Sequence, residues 1–93
     1  MISQKIPPAH EILFLRGDVN YTEFHLVNGQ KFLSSNTLLR HQEKFQGFLR
    51  VSRKHLINPL YISEVENERG LHQVLMLNGE RIVVSRRRKS SII

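Results

Sequence analysis

The chain has 93 residues, 40% of them hydrophobic, no cysteine, and a formal net charge of +6. Such a length holds one domain at most, and the missing thiols exclude a disulfide framework, a thiolate zinc site and cysteine-nucleophile chemistry. The longest apolar runs, Ile12-Leu13-Phe14-Leu15 and Val74-Leu75-Met76-Leu77, hold four residues, against about 18 needed to span a bilayer, so no membrane segment is expected.

Residues 1–10, ending in Pro7-Pro8-Ala9-His10, read as a leader, because proline lacks the donor a strand interior needs. The domain proper is expected over residues 11–93. Glu11 to Leu15 is an apolar run of strand length, and Val19 to Val27 is rich in β-formers. Asn28-Gly29 joins that run to Gln30–Ser34, a hairpin signal suited to a type I′ turn. Asn36 to Gln46 is the helix candidate: Leu38, Leu39, Gln42 and Phe45 form a narrow stripe with His41 off it, Ser35 or Asn36 can cap the start, and Gly47 can end it. A short strand should follow over Phe48–Val51. Ser52 to Asn58 is ambiguous between a loop and one helical turn, and Leu60 to Val65 reads as a further strand. Leu71–Leu77, Asn78-Gly79 and Glu80–Val84 repeat the hairpin signal. Ser85 can then cap a short helical turn running into Arg86-Arg87-Arg88-Lys89. The pattern is all-β with one central helix, and it admits an SH3-like barrel, an OB-like fold or an elongated sandwich.

Catalytic chemistry is not written in this chain, and no cofactor or metal is expected. The five histidines stand 14 to 17 positions apart, so none shares a helical face with another as a metal ligand. Asp18 beside Gly17 is explained by a turn. Glu64, Glu66 and Glu68 alternate along a strand and read as a solvated acidic face. Neither a Gly-rich phosphate loop nor a nucleophile elbow is present. An enzyme is not expected.

The charge distribution points elsewhere. Residues 1–49 carry five basic and four acidic groups, whereas residues 50–93 carry nine and four. The cations gather as Arg50, Arg53 and Lys54, and again as Arg86–Lys89, which suits a polyanion partner. Arg matches guanine O6 and N7 bidentately, while Lys and the remaining Arg suit phosphates. Arg50, before an apolar strand position, reads as a snorkelling or ion-paired residue.

The run Phe48-Leu49-Arg50-Val51-Ser52-Arg53-Lys54-His55-Leu56-Ile57-Asn58 resembles the central signature of LytTR-type DNA-binding domains, the effector domains of LytR/AlgR-like response regulators. Val84-Ser85-Arg86-Arg87 is similar to the family's C-terminal element, Asn20-Tyr21-Thr22 to its early strand and Thr37-Leu38 to the start of its helix. The likeness covers about residues 11–91 in the family's order. It implies an elongated all-β sandwich of small antiparallel sheets with hairpins and one or two short helices. It also implies recognition of double-stranded DNA through loops in the major groove by a bacterial, cytoplasmic transcription regulator. Carried over by position, Asn20, Arg53 and Arg86 would face bases, while Tyr21, Lys54, Arg87, Arg88 and Lys89 would support them or contact the backbone. Asn58 would be a buried structural amide. Ser52 stands where the family usually has His, Lys54 where it has Ser, and His55 where it has an aromatic residue.

Family members commonly follow a receiver domain or a membrane segment. Neither is expected here, so the chain reads as a stand-alone regulator or an isolated effector domain. A homodimer on repeated half-sites and an unidentified regulatory protein are the expected further partners. Two rival readings use the same cations: an RNA- or ribosome-associated basic β module, and a module docking acidic proteins. The few aromatics, seven in all, count against single-strand reading by stacking.

Overall fold

The computed structural model describes residues 6–86 of the chain. A 3-10 turn, Ala9–Glu11, leads into β1 (Ile12–Gly17), followed by β2 (Thr22–Leu26) and β3 (Lys31–Ser34). The helix α1 (Leu38–Lys44) precedes two short strands, β4 (Leu49–Arg50) and β5 (His55–Ile57). A second 3-10 turn, Pro59–Tyr61, opens a meander of β6 (Ile62–Glu68), β7 (Leu71–Met76) and β8 (Arg81–Val83). Every pairing is antiparallel. The first five strands form one sheet in the order β3-β2-β1-β5-β4, and the last three form a second in chain order. With extents of 50 × 25 × 20 Å, the molecule is the elongated, mostly β sandwich that the family resemblance implied and one of the three folds that the pattern admitted.

The unbroken apolar run of β1 is explained by a core on each of its faces, and all four residues from Ile12 to Leu15 are buried. A bulge between Ile12 and Phe14 lets two consecutive residues face the same side. Leu13 and Phe14 thus pack with Ile57, Val74 and Met76 between the two sheets. Ile12 and Leu15 pack with Phe24, Leu38 and Leu56 beneath the helix.

Asn58 stands where the chain leaves the large sheet for the small one. Its side-chain amide donates to the carbonyls of Ala9 (3.2 Å) and Ile12 (3.0 Å), and its oxygen accepts from the Leu60 N–H at 3.0 Å. The buried turn amide is thereby satisfied at both ends. The same contacts fasten the described part of the N-terminal segment, where Ile6 packs against the helix-side core and the Tyr61 hydroxyl donates to the His10 carbonyl.

Several local expectations give way. Gly29 and Gly79 have φ of 90° and 93°, but neither Asn28 nor Asn78 has a positive φ. The Gly29 N–H donates to the Leu26 carbonyl and the Leu26 N–H to the Gln30 carbonyl, and the second hairpin repeats this with Gly79, Met76 and Glu80. Each turn is therefore type I closed by a glycine bulge, not type I′. The adjacent side chain favours this form, since Asn28 Oδ1 and Asn78 Oδ1 accept from the N–H two residues on, at 2.9 and 3.0 Å. A two-residue turn with both φ positive occurs instead at Arg69-Gly70, between β6 and β7.

The helix is shorter than expected and turns a different face inward. Leu38 and His41 are its buried residues, whereas Leu39 is 59% exposed. His41 is accommodated by the Ser34 hydroxyl at 2.8 Å and by an edge-on contact with Phe24, and burial lowers its pKa. Thr37 is the N-cap residue, without a side-chain cap, and Phe45, not Gly47, closes the helix. The ambiguous stretch after Val51 is a bend followed by strand β5. Pro59–Tyr61 is a 3-10 turn because Asn58 caps it. The expected helical turn from Ser85 into Arg86–Lys89 falls mostly outside the described residues.

Candidate nucleic-acid interface

The β1–β2 loop, residues 18–21, is built around Asp18. Its N–H donates to the Tyr21 carbonyl at 2.8 Å, and its carboxylate accepts from the Val19 N–H at 2.7 Å. The Val19 N–H, with the Tyr21 hydroxyl as the second cause, holds the Asp18 carboxyl below the usual carboxylate range, and the Asp18 carboxylate in turn raises the Tyr21 phenol. Asp18 therefore staples the loop internally, with Tyr21 tied to it. Asn20 is left exposed at the tip.

The β4–β5 loop has its own internal frame. Arg50 donates from Nε to the Ser52 carbonyl at 2.7 Å, from Nη2 to the Arg53 carbonyl at 2.7 Å, and from Nη1 to Gln42 Oε1 at 2.6 Å. The Ser52 hydroxyl oxygen accepts from the Lys54 N–H at 3.2 Å and lies 3.0 Å from His55 Nδ1. Burial, with Arg16, His25 and Lys54 nearby, lowers the His55 pKa to about 4, so its ring is neutral near pH 7. Two of the departures from the family signature, Ser52 and His55, thus touch each other and shape one turn. Arg53 and Lys54 project outward and are exposed.

A third segment follows β8. The Val84 N–H donates to the His72 carbonyl at 2.8 Å and the Ser85 N–H to the Val51 carbonyl at 2.7 Å, which brings exposed Arg86 beside the β4–β5 loop. The Gly17 N–H donates to the Lys54 carbonyl at 2.7 Å and joins the first loop to the second. Three stretches far apart in sequence are thereby tied to one another. A groove of about 760 Å³ runs between them, bordered by Asp18, Val19, Arg53, Lys54, Arg81 and Ser85. Gly17 also lets α1 approach, since a Cβ there would stand 3.0 Å from Leu38 Cβ.

Arg53 and Lys54 border the same groove, Tyr21 and Lys54 border a second, smaller pocket, and Asn20 and Arg86 are exposed; Arg87, Arg88 and Lys89 lie outside the described residues. Arg16, which the sequence reading passed over, is exposed at the end of β1 and borders a small polar pocket with Tyr21 and Lys54. A cation at a strand end next to a Gly-Asp turn was the signal available for it. Among the described residues, Arg16, Arg53, Lys54 and Arg86 enter no ion pair, whereas Arg81 is held by Glu66 at 3.1 Å. The Arg50 guanidinium is directed at the carbonyls of Ser52 and Arg53 and at Gln42 Oε1.

Glu23, opposite Arg16 on β2, borders the same small pocket, while the acidic row of the small sheet sits elsewhere. Glu64, Glu66 and Glu68 stand opposite Leu75, Gln73 and Leu71 on the outer face of the small sheet. No cluster of three or more metal-ligating side chains occurs among the described residues, and no helix among them is long and apolar enough to cross a membrane.

Comparison with known proteins bears on this arrangement. The family model of the LytTr DNA-binding domain matches residues 4–92. Four chains of solved structure match. Among them is the LytTr DNA-binding domain of a Bacillus cereus protein described as a methyl-accepting/DNA response regulator. It superposes with a TM-score of 0.72 at 20% identity, over 91% of this chain and 80% of that one. At that identity the likeness is one of fold. No curated protein matches.

Proposed function

Since the chain belongs to the LytTr DNA-binding domain family, we propose that it reads specific sequences in double-stranded DNA as a bacterial transcription regulator, with its loops in the major groove. The observation that carries this reading is the joining of three segments far apart in sequence by the Gly17–Lys54 and Val51–Ser85 backbone hydrogen bonds. Side chains on such loops are held in place by hydrogen bonds to the sheets, which suits base recognition.

The roles follow from side-chain chemistry. Arg53 and Arg86 carry the planar donor fork that fits guanine O6 and N7, and the Asn20 amide fits adenine N6 and N7. Lys54, Arg87, Arg88 and Lys89 grip phosphates, joined by Arg16, while Tyr21 supports the first loop. The family is one of DNA-binding domains, not of catalysts. A domain this small makes few base contacts, so two copies bind repeated half-sites in promoters. The Bacillus cereus protein is described as a response regulator; in this reading the present domain acts as a cytoplasmic effector under a regulatory protein.

Selection of bound sequences from a random duplex pool tests this reading, followed by affinity measurements across salt. The selected pool should converge on a repeated motif. With six to eight cations on phosphates, log affinity should fall with a slope of about −5 to −7 against log salt. A flat salt response with no enriched sequence would overturn DNA binding and leave an acidic protein as the partner.

A further inference from the structure

We infer that Arg50 is a positioning residue for DNA reading: it sets the presentation of Arg53 and Lys54 and couples their loop to helix α1. The inference rests on the proposed reading of DNA by these loops. Its basis is the use of one guanidinium at three points. Nε and Nη2 hold the carbonyls of Ser52 and Arg53, both at 2.7 Å, and Nη1 holds Gln42 Oε1 at 2.6 Å. Two consecutive carbonyls turned toward one side chain fix the peptide planes on either side of Arg53. The direction in which the Arg53 side chain leaves the backbone is thereby set.

The donor geometry decides which residue can do this. Arginine presents its N–H groups in a rigid planar fork, so one side chain can meet three acceptors in fixed directions. Lysine has one nitrogen on a flexible stem and cannot span the same acceptors. Arg50 itself is half-buried at the end of β4, with these donors directed into the protein. Gln42 belongs to α1, so the third bond braces the loop against an element packed on β1 and β5. The other loop bonds run from the Lys54 N–H and His55 to the Ser52 hydroxyl, from the His55 N–H to the Ser52 carbonyl at 3.4 Å and from the Val51 N–H to the His55 carbonyl at 3.1 Å; they share the Ser52 carbonyl with Arg50 but leave the Arg53 carbonyl to it.

The test compares Arg50→Lys with Gln42→Ala on the full chain. Arg50→Lys keeps the charge, so the salt slope should stay the same, while preference for the selected duplex over random duplex should fall by about tenfold, the scale of one lost bidentate base contact. Gln42→Ala removes one anchor of three and should cost less of that preference. Amide resonances of Ser52, Arg53 and Lys54 should shift or broaden in Arg50→Lys, with the rest of the spectrum in place. Were Arg50 a phosphate contact, Arg50→Lys would leave preference intact and Arg50→Gln would weaken both duplexes alike and flatten the salt slope by about one unit. A lower melting temperature with unchanged preference in the folded fraction would reduce Arg50 to a stability residue. Each outcome overturns the inference. Should the parent protein show no preference, the DNA-reading proposal itself fails, and the amide spectrum still decides whether Arg50 orders the loop.

Discussion

The two sheets bury their strands differently. In the large sheet β1 is covered on both faces, by α1 on one side and by the small sheet on the other, and the run Ile12–Leu15 is buried without interruption. In the small sheet one face packs inward through Val74, Met76 and Ile82, and the other carries Leu71, Gln73 and Val83 toward solvent. A strand with two covered faces reads as a continuous apolar run, and one with a single covered face as an alternation. The difference also divides labour. The large sheet is the frame that holds the β1–β2 and β4–β5 loops, while the small sheet seals the second core and delivers Arg86.

The widest contrast should come from truncating one side chain in each sheet. Phe24 is fully buried in the large sheet and makes edge contacts with Phe32 and His41, so Phe24→Ala should cost about 3–5 kcal/mol. Leu71, half-exposed on the outer face of the small sheet, should cost no more than about 0.5 kcal/mol as Leu71→Ala. Urea denaturation of both variants measures the gap, and comparable losses would erase the distinction between the sheets.

A smaller effect is tied to pH and belongs to the large sheet alone. His55 in β5 has its pKa lowered from 6.5 to about 4, burial being the main cause. As pH falls below about 6.5 the unfolded chain takes up this proton while the folded chain resists it until about 4. Stability should therefore decline as pH drops through that window. His55→Phe should flatten the decline, as measured by melting temperature from pH 7 to pH 4. The slope that persists in this variant belongs to other groups, the buried His41 among them.

The smallest effect sharpens the account of the turns in the small sheet. Arg69 holds φ of 53° in the turn before Gly70, a region that asparagine tolerates better than other side chains do. Arg69→Asn should raise stability by roughly 0.5 kcal/mol. No gain on thermal unfolding would mean that the Arg69 side chain compensates its own backbone.

Much of this architecture was legible from the residues. The β1 run, both Asn-Gly hairpins and the exposed pair Arg53-Lys54 stand where the pattern put them, and Asn58 is the buried structural amide that the resemblance implied. What failed depended on groups remote in sequence. His41 points inward because Ser34 supplies a hydroxyl from β3, which helical periodicity does not contain. The three-residue strand β5 is too short to show a period, and both Leu56 and Ile57 are buried because they face opposite cores, one beneath the helix and one between the sheets. The turn type depends on where Asn28-Gly29 falls relative to the last strand pair, a matter of register. At the site, the cations were visible but their convergence was not. It depends on hydrogen bonds from Gly17 to Lys54 and from Ser85 to Val51, and the role of Arg50 depends on carbonyl directions that composition does not encode.

The central claim is that three loops each read part of one DNA site. Its most direct test is to repeat the selection from a random duplex pool with Asn20→Ala, Arg53→Ala and Arg86→Ala separately. Each variant should lose preference at its own base position and keep it at the others, with about 1–3 kcal/mol lost on the parent's motif for either Arg. Asn20→Ala should leave the salt slope unchanged, because it removes no charge. Recovery of the parent's motif by all three variants, with affinity lowered equally on every sequence, would contradict the claim and reduce these side chains to backbone contacts.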